Sequence, residues 1–152
     1  MTTEEKVEEH LNILRGLQTG SGLFYASAPS VTTGYDKAWL RDNFYTSLCF
    51  EAVGDIATVK KIWRAILDIF LKHEDKINWA VEHRPDATWQ YIHARYHPET
   101  FEEFWEEWGN KQNDAVGAIL FKLADLETSG INVLETDEDL SLIHISEPTR
   151  PY

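Results

Sequence analysis

Apolar residues recur at helical intervals along most of the chain. Val7, Leu11, Leu14 and Leu17 share one face, and Thr2 with Glu5 has capping-box spacing, which predicts a first helix over roughly residues 3–17. Gly16, Gly20 and Gly22 interrupt it. Gly20-x-Gly22 lacks the lysine and preceding strand of a phosphate loop and reads as a flexible turn. An irregular Ser/Thr-rich loop then runs from Leu23 towards Tyr35. A second helix is predicted from Trp39 or Leu40 to Val53, with Gly54 just past its end. Asp55 can cap a third, whose stripe of Ile56, Val59, Ile62, Trp63, Ile66, Leu67, Ile69 and Phe70 is wide enough to contact neighbours on two sides.

The pattern then breaks. Residues 74–100 hold Pro85, Pro98, clustered charge and the run Tyr91-Ile92-His93-Ala94-Arg95-Tyr96, which reads as a long connection with short extended pieces. Thr100 can cap a short acidic turn reaching Trp105. A last clear helix follows Trp108, with Val116, Ile119, Leu120, Leu123 and Leu126 on one face and Ser129-Gly130 at its end. No convincing sheet is expected. Residues 140–152 resemble a translated sequencing-adapter read, so the native domain is drawn as 1–139 and the tail is set aside as non-native.

Composition narrows the function classes. The chain has 152 residues, 14 Lys plus Arg against 26 Asp plus Glu, and a formal net charge of −12. Such a field repels phosphate backbones and anionic lipid, so neither nucleic acid nor a membrane surface is expected as a partner. No apolar run approaches the ~20 residues of a membrane span. The charged N-terminus is unlike a signal peptide, and the single cysteine, Cys49, excludes an intrachain disulfide; a cytoplasmic protein is expected. Cys49 itself reads as a small buried hydrophobe.

The chemistry concentrates in two blocks. Gly34-Tyr35-Asp36-Lys37-Ala38-Trp39-Leu40-Arg41-Asp42 places aromatic rings beside an Arg–Asp pair at a helix start, and Trp108-Gly109-Asn110-Lys111-Gln112-Asn113-Asp114 repeats those ingredients. A carboxylate accepts from two hydroxyls, a guanidinium donates in a fixed fork, and an indole offers an apolar face to a pyranose. Taken singly, Arg41 and Asp42 could be a capping pair and Trp39 a core residue. Together the blocks read as two halves of one sugar pocket. Glu102, Glu103, Glu106 and Glu107 read as a solvated acidic face. His93 and His97 have metal-ligand spacing only if helical, and no third ligand is evident, so no metal and no cofactor are expected.

The combined pattern Gly34-Tyr35-x-x-x-Trp39-x-Arg41-Asp42 and Trp108-Gly109-x-x-Gln112-x-Asp114 resembles glycoside hydrolase family 15. That family contains the glucoamylases, and the regulatory α and β chains of phosphorylase kinase carry a related domain. Gly22-Leu23-Phe24 and Ile92-His93-Ala94-Arg95-Tyr96 are similar in order and spacing too, so the likeness covers roughly residues 1–130. The resemblance implies an all-α fold, part of an (α/α)6 toroid whose inner helices open their N-termini onto a funnel. It implies that Arg41 and Asp42 hold the non-reducing terminal glucose, that Tyr35 and Trp39 wall the pocket, and that Trp108 supports the site. Gln112 and Asp114 would anchor the second inner helix.

The family reaction is inverting: one carboxylic acid protonates the leaving oxygen and a distant carboxylate activates water. The resemblance puts both beyond residue 139, so no catalytic residue is expected in this chain. Helices of ~11–12 residues leave room for five or six of the twelve that a toroid needs. The expectation is therefore an inactive, poorly soluble portion of an enzyme acting on α-linked glucose polymers or oligosaccharides. A regulatory or scaffold toroid is the alternative, and an ordinary helical interaction domain the third reading.

Overall fold

The computed structural model describes residues 1–31, 34–104, 106 and 109–145. Helices dominate them. Helix α1 (Thr3–Arg15) starts on the expected box, with Thr2 Oγ1 accepting from the Glu5 amide at 3.2 Å and the Glu5 carboxylate accepting from the Thr2 amide at 2.7 Å. Helix α2 (Leu40–Ala52) ends before Gly54, whose φ of 77° is a left-handed turn that costs a glycine little. Asp55 caps helix α3 (Ile56–Lys72) by accepting from the Thr58 amide at 3.2 Å.

The wide stripe on α3 is buried from Val59 through Trp63 to Phe70, with Ile56 at its start half-buried. It packs against α2 on one side and against helix α6 (Asp137–Ile145) on the other, as its width predicts. Helix α5 (Asn113–Thr128) lies on α2, sinking Ile119, Leu123 and Leu126 into the same core. Two charged clamps tie the layers together. Lys122 of α5 reaches Glu51 of α2 at 2.7 Å, and Arg64 of α3 grips Asp139 of α6 through two 2.7 Å hydrogen bonds. Because α6 crosses residue 139 and buries Leu142, residues on both sides of the boundary drawn from the sequence share one helix.

Several expectations are corrected. Residues 74–82 are not an irregular connection but helix α4 (Glu74–Glu82). Glu74 and Asp75 occupy its first turn, where a helix N-terminus favours negative charge, so charge that looks like a loop signal supports a helix here. A sheet does exist, although a small one: β1 (Ala38–Trp39) pairs antiparallel with β2 (Arg95–Tyr96), Ala38 opposite Tyr96 and Trp39 opposite Arg95. The flexible turn at Gly22 is instead tightly held. With φ at 102°, a Cβ there would come within 2.9 Å of the Lys61 carbonyl oxygen. Thr100 caps no helix; Phe101 after it is left-handed, with φ at 59°. Cys49 is exposed rather than buried, because the face of α2 that carries it points away from α3 and the core.

Candidate sugar-binding site

The small sheet builds the first half of the site. Pairing with β2 extends the chain through Ala38 and Trp39, and the amide of Leu40 then donates to the Ala94 carbonyl at 3.0 Å as α2 begins. Arg41 and Asp42 thus occupy the first turn of α2 and project outward. The next residue does the reverse. Asn43 is buried, accepts from the Phe24 amide at 2.8 Å, and donates to the carbonyls of Phe24 and Trp39 at 3.1 and 2.9 Å. It ties the loop before the first block to the mouth of α2.

The second block arrives at the same place. Gln112 occupies the N-cap position of α5, with its side chain turned to other partners, and Asp114 lies in the first turn. Arg41 Nη1 donates to Gln112 Oε1 at 3.1 Å and to Asp114 Oδ2 at 3.4 Å, across more than seventy residues of sequence. Gln112 in turn donates to the Gly109 carbonyl at 2.9 Å, which fixes its amide. Arg41 and Asp114 remain largely solvent-exposed, so their ion pair is loose enough to exchange partners with a ligand. Asp42 faces solvent, yet partial desolvation holds its carboxyl above the usual carboxylate range, against the pull of Arg41 beside it. Two helix mouths therefore converge on one guanidinium, which meets Gln112 and Asp114 of the second while Asp42 follows it in the first.

The aromatic wall differs from the expectation. Trp39 is only 4% exposed, so its indole is not an open platform. Tyr35 covers it, ring centroids 5.5 Å apart and planes 24° from parallel, and is itself 46% exposed. The available ring is the tyrosine, with the tryptophan as its backing. Trp108 and Glu107 lie outside the described residues, so the other indole and one acidic neighbour have no geometry here.

Residues beyond the two blocks also matter. Arg95, carried alongside Trp39 by the strand pairing, holds its guanidinium 5.7 Å from the Trp39 ring and bonds Glu106 at 3.1 Å. Glu103, assigned to a solvated face, is folded inward and takes Lys76 Nζ on both oxygens, at 2.6 and 2.7 Å. The reason is a bridge between Glu103 and Tyr96 that turns the segment back onto β2. Glu102 and Glu106 are exposed, as expected of that face. The buried imidazole of His93 lies 3.6 Å from Glu103, and its pKa is lowered by desolvation in spite of that carboxylate. The run Ile92-His93-Ala94-Arg95-Tyr96, which reads as a short extended piece, is the sequence signal for this neighbourhood.

A family model described as Glycosyl hydrolases family 15 matches residues 10–146. Similar curated proteins include the phosphorylase b kinase regulatory subunit alpha, liver isoform, of Mus musculus. It is 27% identical over 126 residues, which cover 70% of this chain and 10% of that protein. The skeletal muscle isoform of Oryctolagus cuniculus is 26% identical over 131 residues, covering 72% and 10%. A solved glycosidase variant in complex with glucose aligns over 95% of this chain and 41% of its own, with a TM-score of 0.73 and 16% identity. Another glycosidase variant reaches 0.74 over 93% of this chain and 38% of its own. The chain thus spans about a tenth of the curated relatives and two-fifths of the solved glycosidases. The all-α fold that the resemblance implies is the fold found, and its likeness to these glycosidases is consistent with part of a toroid.

Proposed function

This chain belongs to glycosyl hydrolase family 15, and on that premise we propose that it supplies the terminal-glucose grip of a glucoamylase-like enzyme. The parent would hydrolyse α-linked glucose polymers or oligosaccharides from the non-reducing end, with inversion. Arg41 would donate its fork to adjacent hydroxyls while Asp42 and Asp114 accept from others. Tyr35, backed by Trp39, would wall the ring, Gln112 would hold the guanidinium in place, and Trp108 would support the site. The meeting of Arg41 with Gln112 and Asp114 is the observation that carries this reading. The general acid and base would come from residues outside this chain, and the parent would work in the cytoplasm.

The test is glucose binding by the full chain, followed by isothermal titration or saturation-transfer NMR, with and without Arg41→Ala. Loss of a charged donor from a polyol site should weaken binding roughly tenfold; equal affinities would refute the grip. The chain alone should not turn over maltose.

A second reading rests on the curated relatives, which are regulatory subunits of a kinase. In it the same grip serves a regulatory or scaffold toroid without hydrolysis. Following the parent with maltose by NMR separates the two: release of β-glucose favours the hydrolase, whereas retained glucose binding without turnover favours the regulator.

A further inference from the structure

One cavity among the described residues has none of the Arg41 grip residues in its lining, although its Asn110 accepts the Gln112 amide at 2.7 Å through the backbone carbonyl. It measures about 1120 Å³, and its walls include Lys76, Trp89, His93, Glu103, Glu106 and Asn110. That slightly exceeds the ~300–1,000 Å³ typical of ligand clefts, so it has room for more than a single ring. A smaller recess of about 290 Å³ shares Lys76 and Trp89 with it and adds Trp79. Neither includes Tyr35, Trp39, Arg41, Asp42, Gln112 or Asp114.

Three features of the lining point to one class of ligand. Lys76 is already engaged by both oxygens of Glu103, and Glu106 and Asp86 add negative charge, so an anion is disfavoured. Trp89 is 66% exposed and Trp79 38%, which leaves two indoles facing water along one trough. Finally, Asn110 is 4% exposed and its side-chain oxygen is buried without a hydrogen-bond partner. A buried acceptor left unpaired is unfavourable, and a small rotation of the Asn110 amide towards the cavity it lines would let a ligand hydroxyl satisfy it. Apolar ring faces beside hydrogen-bond acceptors match a sugar, whose C–H face is apolar and whose rim donates hydroxyls.

We propose that this trough is a second carbohydrate site, which binds a neutral oligosaccharide with one ring on Trp89 and a hydroxyl donated to Asn110 Oδ1. The choice of a glucose-based probe rests on the function proposed above; the lining chemistry does not. Maltoheptaose and glucose are each titrated into the full chain and into Trp89→Ala and Arg41→Ala variants. Trp89 is a surface residue, so its variant is expected to keep the helical circular dichroism of the parent chain. Trp89→Ala should weaken maltoheptaose binding about tenfold and leave glucose affinity unchanged. Arg41→Ala should weaken glucose binding about tenfold and leave a maltoheptaose-binding component that Trp89→Ala removes. Loss in Arg41→Ala alone overturns the second site and keeps the first; loss in Trp89→Ala alone keeps the second and overturns the first. Maltoheptaose that fails to bind the parent chain, or binds Trp89→Ala equally well, ends the proposal.

Discussion

Two arginine–aspartate pairs show how one chemistry serves two ends. Arg64 and Asp139 meet through two 2.7 Å hydrogen bonds, with the carboxylate wholly buried. The same carboxylate accepts the amides of Glu135 and Thr136, at 2.9 and 3.0 Å, at the entry to α6. Arg41 and Asp114 meet through one 3.4 Å contact, and their side chains are 43% and 66% exposed. The first pair is fully committed to holding α6 on α3. The second keeps unused hydrogen-bonding capacity in water, which is what a binding site for hydroxyls requires. Geometry and burial, not residue type, separate the clamp from the grip.

The comparison breaks most directly at the clamp. Asp139→Ala should cost about 3 kcal/mol, because it removes two hydrogen bonds from the half-buried Arg64 guanidinium and the acceptor of the Glu135 and Thr136 amides, and urea denaturation will measure it. The carboxyl of Asp139, held down chiefly by its hydrogen bond from Arg64, sits at about 2 against an ordinary 3.8. Its stabilisation is therefore complete above pH 3.8 and fades as the pH falls towards 2; Asp139→Asn should flatten that limb. Asn43→Ala should follow at about 2 kcal/mol, since the Phe24 and Trp39 backbone groups lose their buried partner.

Smaller effects sharpen the contrast. Desolvation lowers the pKa of His93, so its neutral form favours the folded state, and stability should begin to fall as the pH drops below about 6.5. His93→Gln should reduce that slope in thermal melts at pH 7 and 5.5. At the grip, Arg41→Ala should change stability by less than about 0.5 kcal/mol while weakening glucose binding. A large stability loss there would place Arg41 with the clamps instead.

The helices were legible because their signals are local. The Thr2–Glu5 box, the cap at Asp55, Gly54 and the stripe on α3 each act within a few residues. The site blocks were legible as ingredients, and their position at helix starts followed from the same local rules. Helix α4 was missed because its first-turn acids mimic a loop, and Glu103 because an isolated bridge, invisible to periodicity, turns it inward. Trp39 reads from the sequence as an open platform because a sequence does not record that Tyr35 covers it.

By itself, the sequence determined where helices start and stop, and which residues could bond a hydroxyl, because both depend on short-range spacing and side-chain chemistry. Only the tertiary structure decided that Arg41 meets Gln112 and Asp114, that Asn43 turns inward while Asp42 faces water, and that Asn110 is buried beside exposed indoles. Those outcomes depend on packing between segments tens of residues apart, where burial sets the strength of every charge and hydrogen bond.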